Sequence, residues 1–377
     1  MSCIPEITTS TKLPLSNEFK YVLSSVYTPN FSNCLKDRFN ISLHPPTLHF
    51  LYLSTRRYVL ASTWPHFTLF GQSLGSLLLA VDAFMLLVPD VFIDTMGYAF
   101  TLYLSKLLFP SVPTAAYVHY PTISTDMLES LDTTDDNHGL NAGAGKGLRG
   151  ILKRKCWKLF AAAYSHVGTS VDVVMTNSSW TQSHMRSLWG AARKQNRRGS
   201  NTASRDEEIS VVFPPVAVSE LERQIDVSAA SEPKRLPHLL YIAQFRPEKN
   251  HTLILHAFAN LLSSQQHSSL STTQNAPRLI LVGSVRDNAD ATRVYKLRLL
   301  AHELQIKDNV EFVCDAPWEQ VLQHLRTSSV GVNGMWNEHF GIGVVEYQAA
   351  GLISVVNDSG GPRMDIVVDV KDVATGE

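Results

Sequence analysis

One segment, residues 331–362, constrains the fold most, because it places a glycine-rich turn and a helical pattern between short apolar runs. The run 329–332 predicts a strand, 343–350 a helix that ends at Gly351, and 352–356 the next strand. Strand, helix and strand of these lengths form a compact β-α-β unit. The chain is therefore expected to be an α/β protein.

The turn between this first strand and the helix carries polar chemistry. Gly341 and Gly343 allow the backbone to approach a ligand closely, and the free N–H groups around Ile342 at the helix start favour a pyrophosphate. Glu338 precedes the turn, where a carboxylate reaches a sugar, and Glu346 follows it, where a carboxylate accepts hydrogen bonds from a ribose diol. Two solvated surface carboxylates are the alternative. The glycines and the helix start favour a sugar-nucleotide site.

The same alternation of strands and helices extends over the rest of the chain, and 377 residues are enough for two domains with full cores. We place the N-terminal domain at 1–216, a polar linker at 217–237 and the C-terminal domain at 238–377. The predicted strands of the two domains are 91–94, 114–119, 172–176, 209–213, 239–243, 278–282 and 309–313.

Composition excludes several classes of protein. The 33 basic and 34 acidic residues are balanced, so no nucleic-acid partner is expected. The four cysteines have no metal-binding spacing and are expected to be reduced, which fits a cytosolic environment. The N-terminus has no signal-peptide pattern. The best candidate for a membrane span, 67–88, is interrupted by Gln72 and Asp82, and a buried helix explains it better.

Three further residues are candidates for a site. His119 ends a strand in the string YVHYP, where parallel sheets bind ligands, although a packed or surface histidine is the common alternative. Arg246 and Lys249 follow the first strand of the second domain and are suited to neutralising a diphosphate. A solvated turn in which Lys249 pairs with Glu248 is the alternative there. No Asp-x-Asp pair lies near these residues, so neither a metal ion nor a cofactor is expected.

Residues 152–166 predict a helix with basic residues beside Trp157 and Phe160. A solvated face is the favoured interpretation, and contact with an anionic membrane surface is the alternative. Thr125 and Asp126 lie in the loop after the His119 strand. Two interpretations are equal: these residues face a bound substrate, or Thr125 caps a helix. Three polar segments are expected to be inserted loops: 131–150, 191–208 and 263–276.

Glu338 and Glu346 match the paired-glutamate motif of family 4 retaining glycosyltransferases, which have the GT-B fold. The longer strings MWNEHFGIGVVE, QFRPEKNH, PDVFIDTMGYAFTL and YVHYPTISTDML resemble the GDP-mannose-dependent α-1,2-mannosyltransferases of asparagine-linked glycosylation. The resemblance runs from about residue 21 to the last residue. It implies two Rossmann-like domains whose parallel sheets face a central cleft.

The resemblance also implies a reaction. Mannose would move from GDP-mannose, with retention, onto dolichol-diphosphate-linked Man3GlcNAc2 and then Man4GlcNAc2, on the cytosolic face of the endoplasmic reticulum membrane. The membrane surface and other mannosyltransferases of the pathway are the further partners that it implies. The residues that would hold mannose are Glu338 and His119; those that would hold GDP are Arg246, Lys249, Gly341, Ile342, Gly343 and Glu346. Many relatives place the phosphate-binding arginine at the position of Gln244, so the role of Lys249 transfers more securely than that of Arg246.

Two departures from the family pattern qualify this expectation. The family's N-terminal membrane helix and glycine-rich loop with a Glu-Arg pair are not visible, and the chain stops short of the long closing helices. On this comparison the chain is expected to be a fragment with little activity of its own. There are two alternative functions. One is another family 4 transferase or a sugar-nucleotide epimerase on the same fold, and the other is a non-catalytic module that binds a full-length transferase.

Overall fold

The computed structural model describes residues 10–11, 21–24, 48–123, 147–193, 209–266 and 276–369. The described residues form two compact units, an N-terminal unit up to Phe213 and a C-terminal unit from Pro214 onward. Each unit contains one five-stranded sheet, and helices alternate with the strands along the chain. This is the α/β architecture that the alternating pattern predicts.

Four parallel strands form the sheet of the N-terminal unit, and a short antiparallel strand flanks them, in the order β1-β4-β5-β6-β7. A separate parallel pair, β2 with β3, lies outside this sheet. In chain order the elements are β1 (Ser10–Thr11), β2 (Tyr21–Ser24), β3 (Leu48–Leu51), α1 (Thr68–Leu86), β4 (Phe92–Asp94), α2 (Ala99–Leu108), β5 (Thr114–Val118), α3 (Gly147–Val167), β6 (Val173–Thr176), α4 (Ser179–Met185) and β7 (Ser210–Val211).

All five strands of the C-terminal unit are parallel, in the order β10-β9-β8-β11-β12. The chain therefore builds outward from β8 to one edge and then returns to the other side of β8, as in a doubly wound sheet. Its elements are α5 (Val218–Gln224), β8 (Leu236–Ile242), α6 (His251–Gln266), β9 (Arg278–Gly283), α7 (Asn288–Glu303), β10 (Val310–Cys314), α8 (Trp318–Thr327), β11 (Ser328–Asn333), α9 (Ile342–Ala349) and β12 (Ile353–Val356).

The expected polar linker, 217–237, belongs instead to the C-terminal unit. Its first part is helix α5, and Leu221 and Ile225 are buried in the core beneath α9. These two residues are four apart, so they lie on one helix face and bury together although most of the segment is polar. Strand β8 begins at Leu236, inside the predicted linker.

Each of the three expected loops has helical residues at one of its predicted ends. Residues 147–150 open α3, 191–193 continue a helical turn and 263–266 close α6, while 131–146, 194–208 and 267–275, like Thr125 and Asp126, lie outside the described residues. Helix α7 begins at Asn288, because Asp287 caps it by accepting the Asp290 N–H at 2.9 Å.

Helix α1 is, among the described residues, the one helix long and apolar enough to cross a membrane, with a mean hydropathy of 1.6 over its most apolar 18 residues. One third of that stretch, 33%, is buried. The expectation of a buried core helix holds for the face that carries Leu79 and Phe84, which packs into the N-terminal core. The opposite face is exposed.

Arg235 ties several elements of the C-terminal unit together, and its side chain is only 3% exposed. Its guanidinium donates to the carbonyl oxygens of Leu325 at 3.1 Å, Ser328 at 2.8 Å and Ala350 at 2.5 Å. These carbonyls lie at the ends of α8 and α9, where a helix has no partner of its own for them. One side chain thus satisfies the ends of two helices.

We expect Arg235→Ala to lower the free energy of unfolding of the C-terminal unit by roughly 2 to 4 kcal/mol, because buried carbonyls lose their donor. Denaturant unfolding followed by circular dichroism measures this loss. Arg278→Ala is the control, because Arg278 is 46% exposed and forms a loose pair with Glu311 at 3.8 Å. It should change stability by less than about 0.5 kcal/mol. Equal losses in the two variants would contradict the role of Arg235.

Candidate functional site

The candidate site lies at the carboxyl ends of β8 and β11, which pair with each other in the middle of the C-terminal sheet. The loop after β8 contains Arg246 and Lys249, and the loop after β11 contains Glu338. The crossovers from β8 and from β11 lead to opposite edges of the sheet, so this is its topological switch point. Doubly wound sheets bind their ligands at that position.

An ion pair joins the two loops: the Lys249 Nζ lies 2.5 Å from a carboxylate oxygen of Glu338. The Asn333 amide donates to the same oxygen at 3.4 Å. The Tyr241 hydroxyl donates to the backbone carbonyl of Lys249 at 2.6 Å, which fixes the loop from beneath. A residue of β8 therefore holds Lys249, and the last residue of β11 holds Glu338.

Glu338 is ionised at neutral pH. Burial alone would raise the pKa of this carboxyl, but the charge of Lys249, together with its hydrogen bond, holds the pKa below its usual range. The side chain is 12% exposed, so the alternative of a solvated surface carboxylate is wrong. The other alternative, a pair between Lys249 and Glu248, is also wrong, because Glu248 contacts the Arg246 Nε at 2.8 Å instead.

The loop after β12 fixes the backbone of Glu338. The Gly361 N–H donates to the Glu338 carbonyl at 2.7 Å, and the Asn337 N–H donates to the Ser359 hydroxyl at 2.8 Å. Gly360 has a φ of +68°, and a Cβ there would lie 2.3 Å from the Glu338 carbonyl oxygen. Only glycine allows this approach, which explains the Gly-Gly pair of the sequence.

Helix α9 begins next to this loop, with Gly341 at its N-cap at a φ of +105°. Ile342 and Gly343 form its first positions, and N–H groups in the first turn of a helix have no acceptor within the helix. An anion such as a phosphate is the partner that such groups favour. The predicted glycine turn and helix start are confirmed as structural features, and their ligand stays a prediction.

Glu346 lies in the first turns of α9, and burial raises the pKa of its carboxyl to about 7. Burial is the one cause of this shift, so no donor among the described residues stabilises the ionised form. An ionised carboxyl group without a donor of its own can accept hydrogen bonds from the hydroxyl groups of a ligand. Arg246, by contrast, is 42% exposed and can leave Glu248 for a stronger anion.

His119 belongs to the N-terminal unit, where it directly follows β5 and is exposed at the surface of that unit. Its ring packs edge-on against Tyr117, with ring centroids 4.8 Å apart. Partial burial lowers the pKa of His119, so the ring is neutral at pH 7. The histidine and the residues around Glu338 thus lie in different units.

Asp94, at the end of β4, was not predicted as a site residue. Burial raises its pKa to about 6, although backbone N–H groups of the next loop, including that of Met96 at 3.0 Å, oppose the shift. Thr122, which follows the His119 strand, donates to Gly97 of the same loop at 3.0 Å. Asn333 was also missed. In both cases the sequence contains a signal that could have identified the residue, namely a polar side chain at the end of an apolar strand.

Among the described residues no group of three or more His, Cys, Asp or Glu side chains is arranged to hold a metal ion. The polar groups at the site are instead cations, carboxylates and free backbone N–H groups. Such a set binds an anion and a diol together.

Comparisons with known proteins cover nearly the whole chain. Residues 19–189 match the family model of the ALG11 mannosyltransferase N-terminus, and residues 222–376 match that of glycosyl transferases group 1. A Neurospora crassa protein named GDP-Man:Man(3)GlcNAc(2)-PP-Dol alpha-1,2-mannosyltransferase is 62% identical over 344 residues, which are 91% of this chain and 61% of that protein. A Dictyostelium discoideum protein of the same name is 41% identical, over 94% of this chain and 68% of that protein. The chain therefore spans less than two thirds of the Neurospora protein.

Among solved structures, the trehalose 6-phosphate synthase of Burkholderia multivorans is similar, with a TM-score of 0.55 at 15% identity. The likeness covers 83% of this chain and 71% of the synthase. At this identity it shows the fold alone, and it confirms the predicted GT-B class.

We expect Glu346→Gln to change how stability depends on pH. A carboxyl whose pKa rises from 4.5 to about 7 on folding destabilises the folded chain as pH rises through that interval. Between pH 4.5 and 8 the free energy of unfolding of the wild type should fall by up to about 3 kcal/mol relative to that of the variant. Denaturant unfolding at pH 5 should show little difference, and at pH 8 the variant should be more stable. Parallel stability curves for the wild type and Glu346→Gln would contradict the raised pKa.

Proposed function

Because this chain belongs to the ALG11 mannosyltransferase family, we propose that it transfers mannose from GDP-mannose in α-1,2 linkage to a dolichol-diphosphate-linked oligosaccharide. The names of its relatives specify this donor class and this acceptor, and the matching regions cover both units. Because the chain spans only part of the length of these relatives, their activity is proposed for it.

The observation that carries the proposal is the ion pair between Lys249 and Glu338 beside the start of α9. A partly buried cation (Lys249), a more exposed cation (Arg246) and the free N–H groups of the first turn of α9 all lie at the carboxyl ends of the strands. A diphosphate is the ligand that satisfies all three. The unpartnered Glu346 on the same helix suits the ribose of the same nucleotide.

The chemistry follows from these contacts. Breaking the bond between mannose and GDP leaves negative charge on the diphosphate, and Lys249, Arg246 and the α9 N–H groups are positioned to stabilise it. Lys249 and the α9 backbone are held in place before the donor binds, so these groups need little reorganisation as the charge develops, whereas Arg246 must turn toward the diphosphate. The acceptor hydroxyl then attacks on the face that GDP leaves, which retains the configuration of the anomeric carbon.

Glu338 and His119 are proposed to hold the mannose. Glu338 is ionised and is anchored to Lys249, so it can accept hydroxyl hydrogen bonds while it also keeps the lysine near the phosphates. A neutral His119 can donate one hydrogen bond and accept another. With such an acceptor lipid, we propose that the reaction takes place on the cytosolic face of the endoplasmic reticulum membrane, near other mannosyltransferases of the pathway.

The function is tested on the chain extended with the N-terminal and C-terminal segments of its longer relatives, because the chain alone is expected to have little activity. The extended chain is incubated with labelled GDP-mannose, UDP-glucose and UDP-N-acetylglucosamine and a lipid-linked Man3GlcNAc2 acceptor. Transfer of label from GDP-mannose alone, into a product that an α-1,2-mannosidase cleaves, is the expected result. Transfer from a UDP-sugar would assign the chain to another donor. Binding of GDP over UDP and ADP, measured by calorimetry, tests the donor site separately.

We expect Glu346→Ala to weaken GDP binding by about 5- to 150-fold, because ribose hydroxyls lose an acceptor at a loss of roughly 1 to 3 kcal/mol. Calorimetric titration with GDP measures the change. Glu303→Ala is the matched control, because it removes a carboxylate from the exposed surface of the same unit. Unchanged GDP affinity in Glu346→Ala would show that Glu346 does not contact the ribose.

In the same extended chain, Glu338→Gln should separate binding from chemistry. GDP affinity should stay within about threefold of the wild type, because the ribose and phosphate contacts survive, while mannose transfer falls about 10²-fold or more. His119→Ala should behave in the same way. Calorimetry with GDP and chromatography of the labelled lipid-linked product give the two numbers. Losing both in equal proportion would place Glu338 on the nucleotide instead of the sugar.

A further inference from the structure

We propose that Asp94 and Thr122 are positioning residues, which hold the loop of His119 in place by way of residues 96–98. Asp94 ends β4, and Thr122 follows His119 after the neighbouring strand β5. This inference rests on the proposed function, because it takes His119 as a residue that holds the mannose. All of the contacts that support it lie within the N-terminal unit.

Asp94 organises the loop that follows β4. The residue is 3% exposed, and its carboxylate accepts the Met96 N–H at 3.0 Å. The N–H groups of Gly97 and Tyr98 also donate to it. Three consecutive N–H groups point at one side chain only if the backbone turns tightly around it. A carboxylate suits this position, because its two oxygens accept several hydrogen bonds and carry no donor of their own.

The buried charge and the turned loop depend on each other. Burial disfavours the ionised form and raises the pKa of Asp94 to about 6, while hydrogen bonds from the three N–H groups oppose this shift. Among the described residues no cation contributes to the shift, so the loop is what stabilises the carboxylate. Removing the carboxylate is therefore expected to release the loop.

Stability does not account for a carboxyl group at this position. A carboxyl whose pKa rises from 3.8 to about 6 on folding destabilises the folded chain as pH rises through that interval. The residue lies at the carboxyl end of a parallel strand, where such sheets bind their ligands. Ordering the loops at that end is a role that offsets the cost of burying Asp94.

Gly97 joins this loop to the loop of His119. Its φ of +86° favours glycine, and the nearest atom to a Cβ there would be the Thr122 hydroxyl oxygen, at 3.8 Å. The Gly97 carbonyl accepts the Thr122 hydroxyl at 3.0 Å. The hydroxyl of the buried Tyr164, on α3, also hydrogen-bonds to Thr122. Thr122 thus ties the two loops to each other and to a helix of the core.

His119 depends on this attachment for its position. Its backbone carbonyl accepts the Thr181 hydroxyl of α4 at 3.4 Å, which is a long hydrogen bond, and its ring is exposed. The shorter bond from Thr122 to Gly97 fixes the loop three residues further along. An exposed ring on a loop is placed only as well as the loop itself. A displacement of about 1 Å at a reacting group can lower a rate by about 10²-fold.

The first test is the titration of His119 in the purified 377-residue chain, followed by NMR, with the signal identified by its absence from His119→Ala. In the wild type the pKa of His119 lies below its usual range, because the ring is partly buried. Thr122→Val keeps the shape of the side chain and removes its hydroxyl. The loop should loosen, the ring should gain water, and its pKa should rise toward the usual value. Thr122→Ser should restore the wild-type titration.

Asp94→Asn is the second variant, and it should shift the His119 titration in the same direction. The amide has one acceptor oxygen where the carboxylate has two, so it cannot serve all three N–H groups of the loop. In the extended chain, both variants should lower kcat for mannose transfer by about tenfold to 10²-fold. KM for GDP-mannose should stay within about threefold, because the proposed donor contacts belong to the other unit.

Matched controls come from the opposite end of the same sheet. Thr114, the first residue of β5, donates through its hydroxyl to the Ser170 carbonyl at 2.8 Å, and Asp172 accepts the Thr114 N–H at 2.8 Å. Thr114→Val and Asp172→Asn remove the same chemical groups as the test variants. They should change neither the titration of His119 nor mannose transfer. Thermal unfolding checks that each variant is folded, and if one test variant does not fold, the other decides.

The outcomes separate this proposal from the proposed function. An unchanged titration of His119 in the test variants would overturn the proposal, and so would equal losses of transfer in test and control variants. A shifted titration, with no mannose transfer by the extended wild type, would overturn the proposed function and leave the positioning of His119 standing. Mannose transfer by the wild type, with test variants that titrate and transfer like it, would do the reverse.

Discussion

The parallel pairing of β8 with β11 is the constraint on which the candidate site depends. It joins strands that are far apart in the chain and brings the loops that follow them together at the carboxyl end of the sheet. The pairing is secured there by Tyr347 of α9, whose hydroxyl accepts the Ile242 N–H at 2.7 Å and lies 3.4 Å from the Val332 carbonyl oxygen. Lys249 and Glu338, 89 residues apart in sequence, therefore meet as an ion pair.

The two glutamates of the motif show how one environment produces two kinds of carboxyl group. Both are buried, and burial raises the pKa of any carboxyl by disfavouring its charged form. For Glu338 the neighbouring ammonium of Lys249 outweighs burial, whereas Glu346 has no such partner and its pKa reaches about 7. The site thus contains a carboxylate with a lowered pKa beside the glycine turn and a carboxyl group with a raised pKa on the helix, which suits the different ligands proposed for them.

Buried guanidinium groups stabilise both units in the same manner. Arg235 satisfies carbonyls at the ends of α8 and α9, and the buried Arg193 donates to the carbonyls of Gly168, Val171 and Asp172 between α3 and β6. In each case a planar group with several donors serves carbonyls that secondary structure leaves unpaired. In both units, buried arginines therefore hold the ends of helices and strands in place.

Much of this protein follows from its sequence, because strands, helices and turns depend on local spacing. The alternation of apolar runs, the turn at Gly341 and the paired glutamates predicted the parallel sheets, the start of α9 and the family. Contacts between distant residues required the tertiary structure. The partner of Lys249 is Glu338 and not the neighbouring Glu248, and Leu221 and Ile225 bury a segment whose composition is that of a linker. The direction of each face of α1 was likewise decided by tertiary packing. An apolar helix has the same composition whether it is buried or exposed, and only the positions of its neighbours determine which side chains lose contact with water.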